Sequence, residues 1–203
     1  GRWGYNEDTK AAGALAEADD GAETELDVTD ASLIDVGDTI LIGTDAMFVS
    51  KKAVLTTGTT LNDTLTADLN DVTVTLTSGA AVKQGEVLLL DSEKMLVESI
   101  SSNDLTVKRA VDGSVLAAHS TGIVVYAYRT LTVVRAVNGT TAASHATTTA
   151  ITKYAPPGDV ADYCRALAIA HLKQGESGWT GQLGGGEGAV ETRMFGVWSM
   201  RQG

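Results

Sequence analysis

Cysteine is nearly absent from this chain. Cys164 stands alone among 203 residues, so no intramolecular disulfide and no Cys-x-x-Cys metal pair can form. Proline is almost as rare, and its two copies are adjacent at Pro156 and Pro157, leaving the rest free of its constraint on strands. No run of about 18 apolar residues occurs, so no membrane-spanning helix is expected. The first residues, GRWGYNEDTK, lack the apolar core of a secretory signal, and none is expected. Positive charge is also short, with 15 Lys/Arg against 26 Asp/Glu and a net charge of −11. An acidic protein is a poor partner for a phosphate backbone, because duplex affinity comes from Lys/Arg contacts that release counterions.

The familiar catalytic patterns are missing too. There is no HExxH, GxSxG, Walker loop or EF-hand spacing. The glycines at Gly184–Gly188 do not fit GxGxxG and follow no strand. His119 and His145 lack the neighbouring ligands of a metal site, and each reads as a structural histidine. His171 and Cys164 share a helix face with apolar residues, which suits packing better than a nucleophile and its base. Asp91, Glu93 and Glu98 read as a solvated strand face, and Arg109 and Arg135 as salt-bridge partners of acidic neighbours in their own sheet. The expectation is a non-enzymatic protein with no cofactor and no metal.

What the chain does contain is threonine, a polar β-branched residue suited to exposed strand faces, with 26 copies. It also contains one motif nested inside another. VTVTLTSGAAVKQGEVLLLDSEKMLVES matches ELDVTDASLIDVGDTILIGTDAMFVSKK, with Gly85 on Gly37 and Met95 on Met47, both at an offset of 48. The sequence LTVKRAVDGSVLAAHS matches LTVVRAVNGTTAASHA, with Arg109 on Arg135, Gly113 on Gly139 and His119 on His145, all at an offset of 26. A small β module inserted in a loop of a similar one explains both offsets, since insertion is tolerated where loop ends are exposed and close. The expected fold class is α+β, mainly β, with two nested antiparallel β modules, each a small sandwich or barrel. The outer module spans 23–52 plus 131–154, and the inserted one spans 53–130. Asp112-Gly113 and Asn138-Gly139 are expected to make hairpin turns of type I′.

The flanks differ. Residues 1–22 read as an arm, with Trp3 and Tyr5 exposed, passing into a short Ala-rich helix over 11–20. Residues 155–203 form the C-terminal segment, and the chain from 153 on is neutral, with five charges of each sign. A helix is predicted over 159–174, with Asp159 as N-cap and Gly175 as terminator. Val160, Tyr163, Cys164, Leu167, Ala168, His171 and Leu172 make its apolar stripe. A glycine-rich loop follows, then an apolar tail. Trp179, Val190, Arg193, Met194, Phe195, Val197, Trp198, Met200 and Arg201 are the candidate docking residues for another chain.

That last segment, APPGDVADYCRALAIAHLKQGESGWTGQLGGGEGAVETRMFGVWSMRQG, resembles the end of head-to-tail connector (adaptor) proteins of tailed bacteriophages. The shared outline is a Pro-led helix, a Gly/Ser break, a glycine-rich loop and a short apolar segment near an Arg. The repeats GDTILIGTDAMFVS, GEVLLLDSEKMLVES and R-A-V-[ND]-G resemble β repeats of phage neck and tail proteins. The resemblance implies a homo-oligomeric ring, dodecameric in that family, in the neck of the virion. It also implies portal and stopper or tail-completion proteins as partners, DNA passing through without tight binding, and assembly in the host cytoplasm. The sequence departs from the family where a β insertion replaces earlier helices. A phage tail-tip, capsid-decoration or receptor-binding β protein is the competing reading. The charge balance predicts no duplex DNA binding at physiological salt; a salt-dependent gel shift at micromolar protein would contradict it.

Overall fold

Strand residues here alternate between a sealed interior and solvent. Val124–Val134 alternates exposed or half-buried positions with buried ones along its whole length, as a period-2 strand with one covered face must. The computed structural model describes residues 6–8, 13–177, 182–183 and 190–191. The chain divides into two compact units, 1–155 and 156–203.

The first unit is all β. Its strands are β1 (Asn6–Asp8), β2 (Glu25–Asp27), β3 (Thr39–Ile42), β4 (Asp45–Thr60), β5 (Thr73–Thr75), β6 (Val87–Leu90), β7 (Glu93–Ser101), β8 (Asp104–Lys108), β9 (Val124–Val134) and β10 (Ile151–Ala155). All ladders are antiparallel, in the order β1-β10-β3-β4-β9-β6-β7-β8-β5, with β2 also on β9. This one sheet curls into two closed rings. In the inner ring β5 pairs β8, β8 pairs β7, β7 pairs β6, and β6 pairs the first half of β9. The end of β4 closes it: Leu61 N–H donates to Ile123 O at 2.9 Å and Asn62 N–H to Thr75 O at 2.8 Å. The outer ring repeats the pattern with β2, the second half of β9, the first half of β4, β3 and β10. There Leu15 N–H donates to Thr149 O at 3.0 Å and Ala16 N–H to Asp27 O at 2.8 Å. The modules are therefore barrels rather than sandwiches, and closure removes the free edges on which small sheets aggregate.

The repeat extends to detail. A register shift between Val49 and Lys51 on β4 recurs between Val97 and Ser99 on β7, at the offset of 48. Gly37 and Gly85 both have positive φ, and both donate to a strand carbonyl, of Val49 and Val97 respectively, at 2.8 Å. Each barrel has its own core. The inner one includes Leu76, Leu88, Leu90, Met95, Val97 and Leu105; the outer one includes Val28, Ile40, Ile42, Met47, Val49 and Leu131. Burying each such side chain contributes on the order of 1.5–3 kcal/mol.

Two expectations about the first unit need correction. The Ala-rich segment is not helical over its described part. Ala14 and Leu15 form β-bridges with Ala150 and Val28, and Leu15 is 1% exposed. Helix propensity loses here because the outer barrel needs this segment as its closing strand. The Asp112-Gly113 and Asn138-Gly139 turns exist, with φ of 52°, 73°, 56° and 77°. They close no hairpins, since β8 pairs with β5 and β7 and not with β9. They fold the loop at one end of each barrel instead.

The second unit contains α1 (Gly158–Ser177) and a short pair, β11 (Gln182–Leu183) with β12 (Val190–Glu191). Asp159 lies in the first turn rather than at the cap, because Pro157 O already accepts Ala161 N–H at 3.0 Å. The helix also runs past Gly175 to 20 residues, so that glycine does not end it.

Among the described glycines of the inner barrel, Gly79 lies closest to a neighbouring backbone. A Cβ there would stand 2.0 Å from the carbonyl oxygen of Ser102. Gly79→Ala should cost about 1–3 kcal/mol in urea unfolding, through displacement of the Ser102–Asn103 turn. An unchanged midpoint would contradict this packing.

Candidate functional site

The polar residues that the repeat singles out sit at one end of each barrel. In the inner barrel β7 opens with Glu93, and β8 leads into Arg109. Both side chains are fully buried. Arg109 Nε donates to Glu93 Oε1 at 2.7 Å and Nη2 to Oε2 at 2.8 Å, a two-pronged pair. The remaining guanidinium donors reach Thr66 O (3.2 Å), Asp71 O (3.0 Å) and Ala117 O (2.7 Å). Glu93 also accepts Ala110 N–H at 3.1 Å and Ala117 N–H at 3.0 Å. His119 fills the last side, with Nε2 3.0 Å from Glu93 Oε2 and Nδ1 2.9 Å from Asp91 Oδ2. Burial alone would raise the Glu93 carboxyl. Arg109, the Ala117 N–H and His119 outweigh it and bring the value down to about 2.

The outer barrel carries the same cluster with shorter parts. Arg135 Nε and Nη2 lie 3.1 Å and 2.9 Å from Asp45 Oδ2, and Nη2 donates to Ala143 O at 2.6 Å. Ala136 N–H donates to Asp45 Oδ1 at 3.0 Å, as Ala110 does to Glu93. Asp45 has one methylene less than Glu93, so His145 Nε2 stays 4.0 Å away and makes no hydrogen bond. Asp19 supplies a second carboxylate, with Oδ1 2.7 Å from Arg135 Nη1. Gly43 stands where the inner barrel has Asp91, and a Cβ there would come within 3.2 Å of the His145 ring. Burial lowers the Arg135 affinity for its proton, but hydrogen bonds and charge from Asp19 and Asp45 raise the value on balance.

A second pair of cations sits at the waist, where β4 and β9 cross from one barrel to the other. Lys52 on β4 donates from Nζ to Ala31 O at 2.9 Å and Ile34 O at 2.6 Å. Burial pushes its pKa below the usual lysine range, against Asp35 and Glu86, which favour the charged form. Arg129 on β9 holds Glu86 through two bonds of 2.7 Å and Ala81 O at 2.9 Å. The two grips fall on corresponding loops, the one between β2 and β3 and the one between β5 and β6. Beside them opens a cleft of about 340 Å³, lined by Ser32, Asp35, Lys52, Glu86, Lys94 and Tyr128 among others. Lys94 Nζ lies 5.6 Å from the Tyr128 ring centroid, a cation–π contact.

Arg109 and Arg135 thus pair with carboxylates of their own barrels, and His119 and His145 sit in the same two clusters. Glu93 is the correction: it is 0% exposed, because its strand turns it into the barrel rather than to solvent. Glu98 is exposed. Cys164 and His171 are both exposed on α1 rather than packed. Trp179, Arg193, Met194, Phe195, Val197, Trp198, Met200 and Arg201 lie outside the described residues, as do Trp3 and Tyr5. Val190 is described only as the start of β12, paired with Leu183. The waist cations Lys52 and Arg129 were not singled out from sequence. For Glu93 a signal existed, since Asp45 and Glu93 align at the offset of 48, two residues before Met47 and Met95.

Among the described residues no group of three or more His, Cys, Asp or Glu could hold a metal ion, and no helix is long and apolar enough to cross a membrane. The chain matches no known protein family, no curated protein and no solved structure. In both clusters the charged groups bond to one another and to loop carbonyls. The chemistry of the arrangement is to hold loops in place.

Glu93→Gln keeps the shape but leaves Arg109 as a buried cation without its counter-charge. It should cost about 3–5 kcal/mol at neutral pH. The Glu93 contribution is present in full above its ordinary value of 4.5 and is lost as pH falls from there toward about 2. Acid titration of stability should therefore be shallower in Glu93→Gln than in the wild type over that window. Identical slopes would contradict the assignment.

Proposed function

We propose that this protein is a structural virion component, a head-to-tail adaptor that forms a ring between portal and stopper or tail and continues the DNA channel. The observation that carries the reading is the uncovered stripe of α1. Val160 is 46% exposed, Tyr163 54%, Leu167 45% and Leu172 71%. A 20-residue helix, roughly 30 Å long, does not leave that much apolar surface in water without a partner to cover it. A belt of equivalent helices in a ring covers every stripe with the next subunit, and head-to-tail contacts close when the rotation per subunit divides a full turn.

Two further features support this. The body is acidic, as a surface that DNA slides past without sticking must be. The barrels are closed modules whose buried charged groups are bonded internally, which suits a collar more than a reactive centre. The resemblance of the C-terminal segment to connector proteins supplies the dodecameric count and the portal as the template of assembly. The tail-tip, decoration or receptor-binding reading lacks a role for the α1 stripe.

The test is assembly on portal. Wild-type chain should co-sediment with purified portal rings of its own phage and add a ring visible by electron microscopy. Leu167→Asp with Leu172→Asp, both at exposed positions, should stay folded and fail to assemble. A trimer on the capsid shell or at the tail tip would overturn the adaptor reading and promote its competitor.

A further inference from the structure

Two large apolar side chains stand in solvent at the end of the inner barrel farthest from the outer one. β4 and β9 run between the barrels, so the loop that follows β4 and the loop that precedes β9 lie at their far end. Leu69 in the first loop is 62% exposed, and Val115 in the second is 77% exposed. Within residues 13–155 no other large apolar side chain is as exposed as either.

These tips are braced. Arg109 bonds the carbonyls of Thr66 and Asp71, one on each side of Leu69, and that of Ala117 beyond Val115. Asp71 Oδ2 accepts both Thr66 N–H and Thr66 Oγ1–H at 2.7 Å. Asn70 N–H donates to Asp68 Oδ1 at 2.9 Å, and Ser114 N–H to Val111 O at 3.0 Å.

The fold does not require apolar tips there. In the outer barrel Asp19 takes the bridge position of Leu65, each paired with its histidine. Thr24 O and Val72 O accept from Val133 and Val107 at corresponding places, so Glu23 corresponds to Asp71. Three residues (20–22) lie between the outer anchors and five (66–70) between the inner ones, and Leu69 falls in the longer loop. Val115 corresponds to Thr141 at the offset of 26. The same framework is thus built with a short polar loop in one barrel and with apolar tips in the other.

The surroundings carry charge of one sign. Asp63, Asp68, Asp71 and Asp91 lie on these loops and the adjoining β6–β7 turn, while Asp112 turns back to the waist cleft beside Lys94. Their one Lys or Arg, Arg109, is buried against Glu93. Asp71 is held below the ordinary carboxyl value by hydrogen bonds from the Thr66 N–H and hydroxyl, and so stays ionised.

We propose that this end of the inner barrel docks a basic protein surface with apolar recesses that take Leu69 and Val115. Apolar anchors inside a charged rim are the usual anatomy of such interfaces, and bracing of the loops lowers the ordering cost of binding. Four carboxylates repel nucleic acid and anionic lipid, which leaves a cationic protein as the partner. The proposal is independent of the ring, since α1 takes no part.

The test pans the full chain against a displayed library of random peptides, with Leu69→Ser/Val115→Ser as the counter-target. Thermal melts confirm that the variant, altered only at exposed positions, is folded. Enriched peptides should combine Lys or Arg with a large apolar residue, bind more weakly as salt rises, and lose about tenfold or more in affinity on the variant. Sedimentation with phosphatidylcholine vesicles should show no binding. No enrichment, peptides without basic character, equal binding to the variant, or vesicle binding that depends on Leu69 and Val115 would each overturn the proposal.

Discussion

A guanidinium buried against a carboxylate, at the loop-crossed end of each barrel, is the constraint on which the rest of this β body depends. The inner barrel is small, with thirteen buried apolar side chains in its core, and the outer one has twelve. Long loops cross one end of each ring. Their carbonyls need donors, and in both barrels a single arginine supplies them. Desolvating an arginine is costly, so the carboxylate opposite it is not optional. Replacing both with apolar groups is tolerated in many proteins; removing one is not. The pair therefore specifies which loops meet at that end more than it adds net stability.

From this follows the division of labour along the two shared strands. On β9 the inward positions run Val125, Ala127, Arg129, Leu131 and Val133. The first two belong to the inner core and the last two to the outer. Arg129 falls at the crossing, where neither core can cover it, and Glu86 neutralises it. Lys52 marks the same crossing on β4 and grips the outer barrel. The continuous strands β4 and β9, whose ladder shifts register between Ala53 and Leu55, and two cations that tie the waist to loops on both sides, join the barrels as one β body. The proposed adaptor role uses that body as a collar and leaves assembly to α1.

The nesting was legible in the sequence because strand registers, turn glycines and the Arg–His spacing all repeat at fixed offsets. The structural roles of Arg109, Arg135, His119 and His145 were legible for the same reason. The Ala-rich segment misled, because alanine favours a helix locally while Leu15 is needed to close the outer barrel. Glu93 misled because an acidic residue at a strand start reads as solvated unless its arginine, sixteen residues on, is seen beside it. The Asp-Gly and Asn-Gly turns were placed correctly, but their partners were not, since no local signal says which strands will pair. Gly175 reads as a terminator, yet α1 continues through it. The docking residues from Trp179 onward remain a sequence reading, apart from the backbone pairing of Val190.

The most direct measurement is a double-mutant cycle on the inner pair, with Arg109→Met, Glu93→Met and both together, read by urea unfolding. If the buried pair is the constraint described here, each single change leaves an unpaired buried charge. The double variant should then be less destabilised than the sum of the singles, by about 2–3 kcal/mol. Additive singles would mean that the two side chains act separately, and would contradict the account.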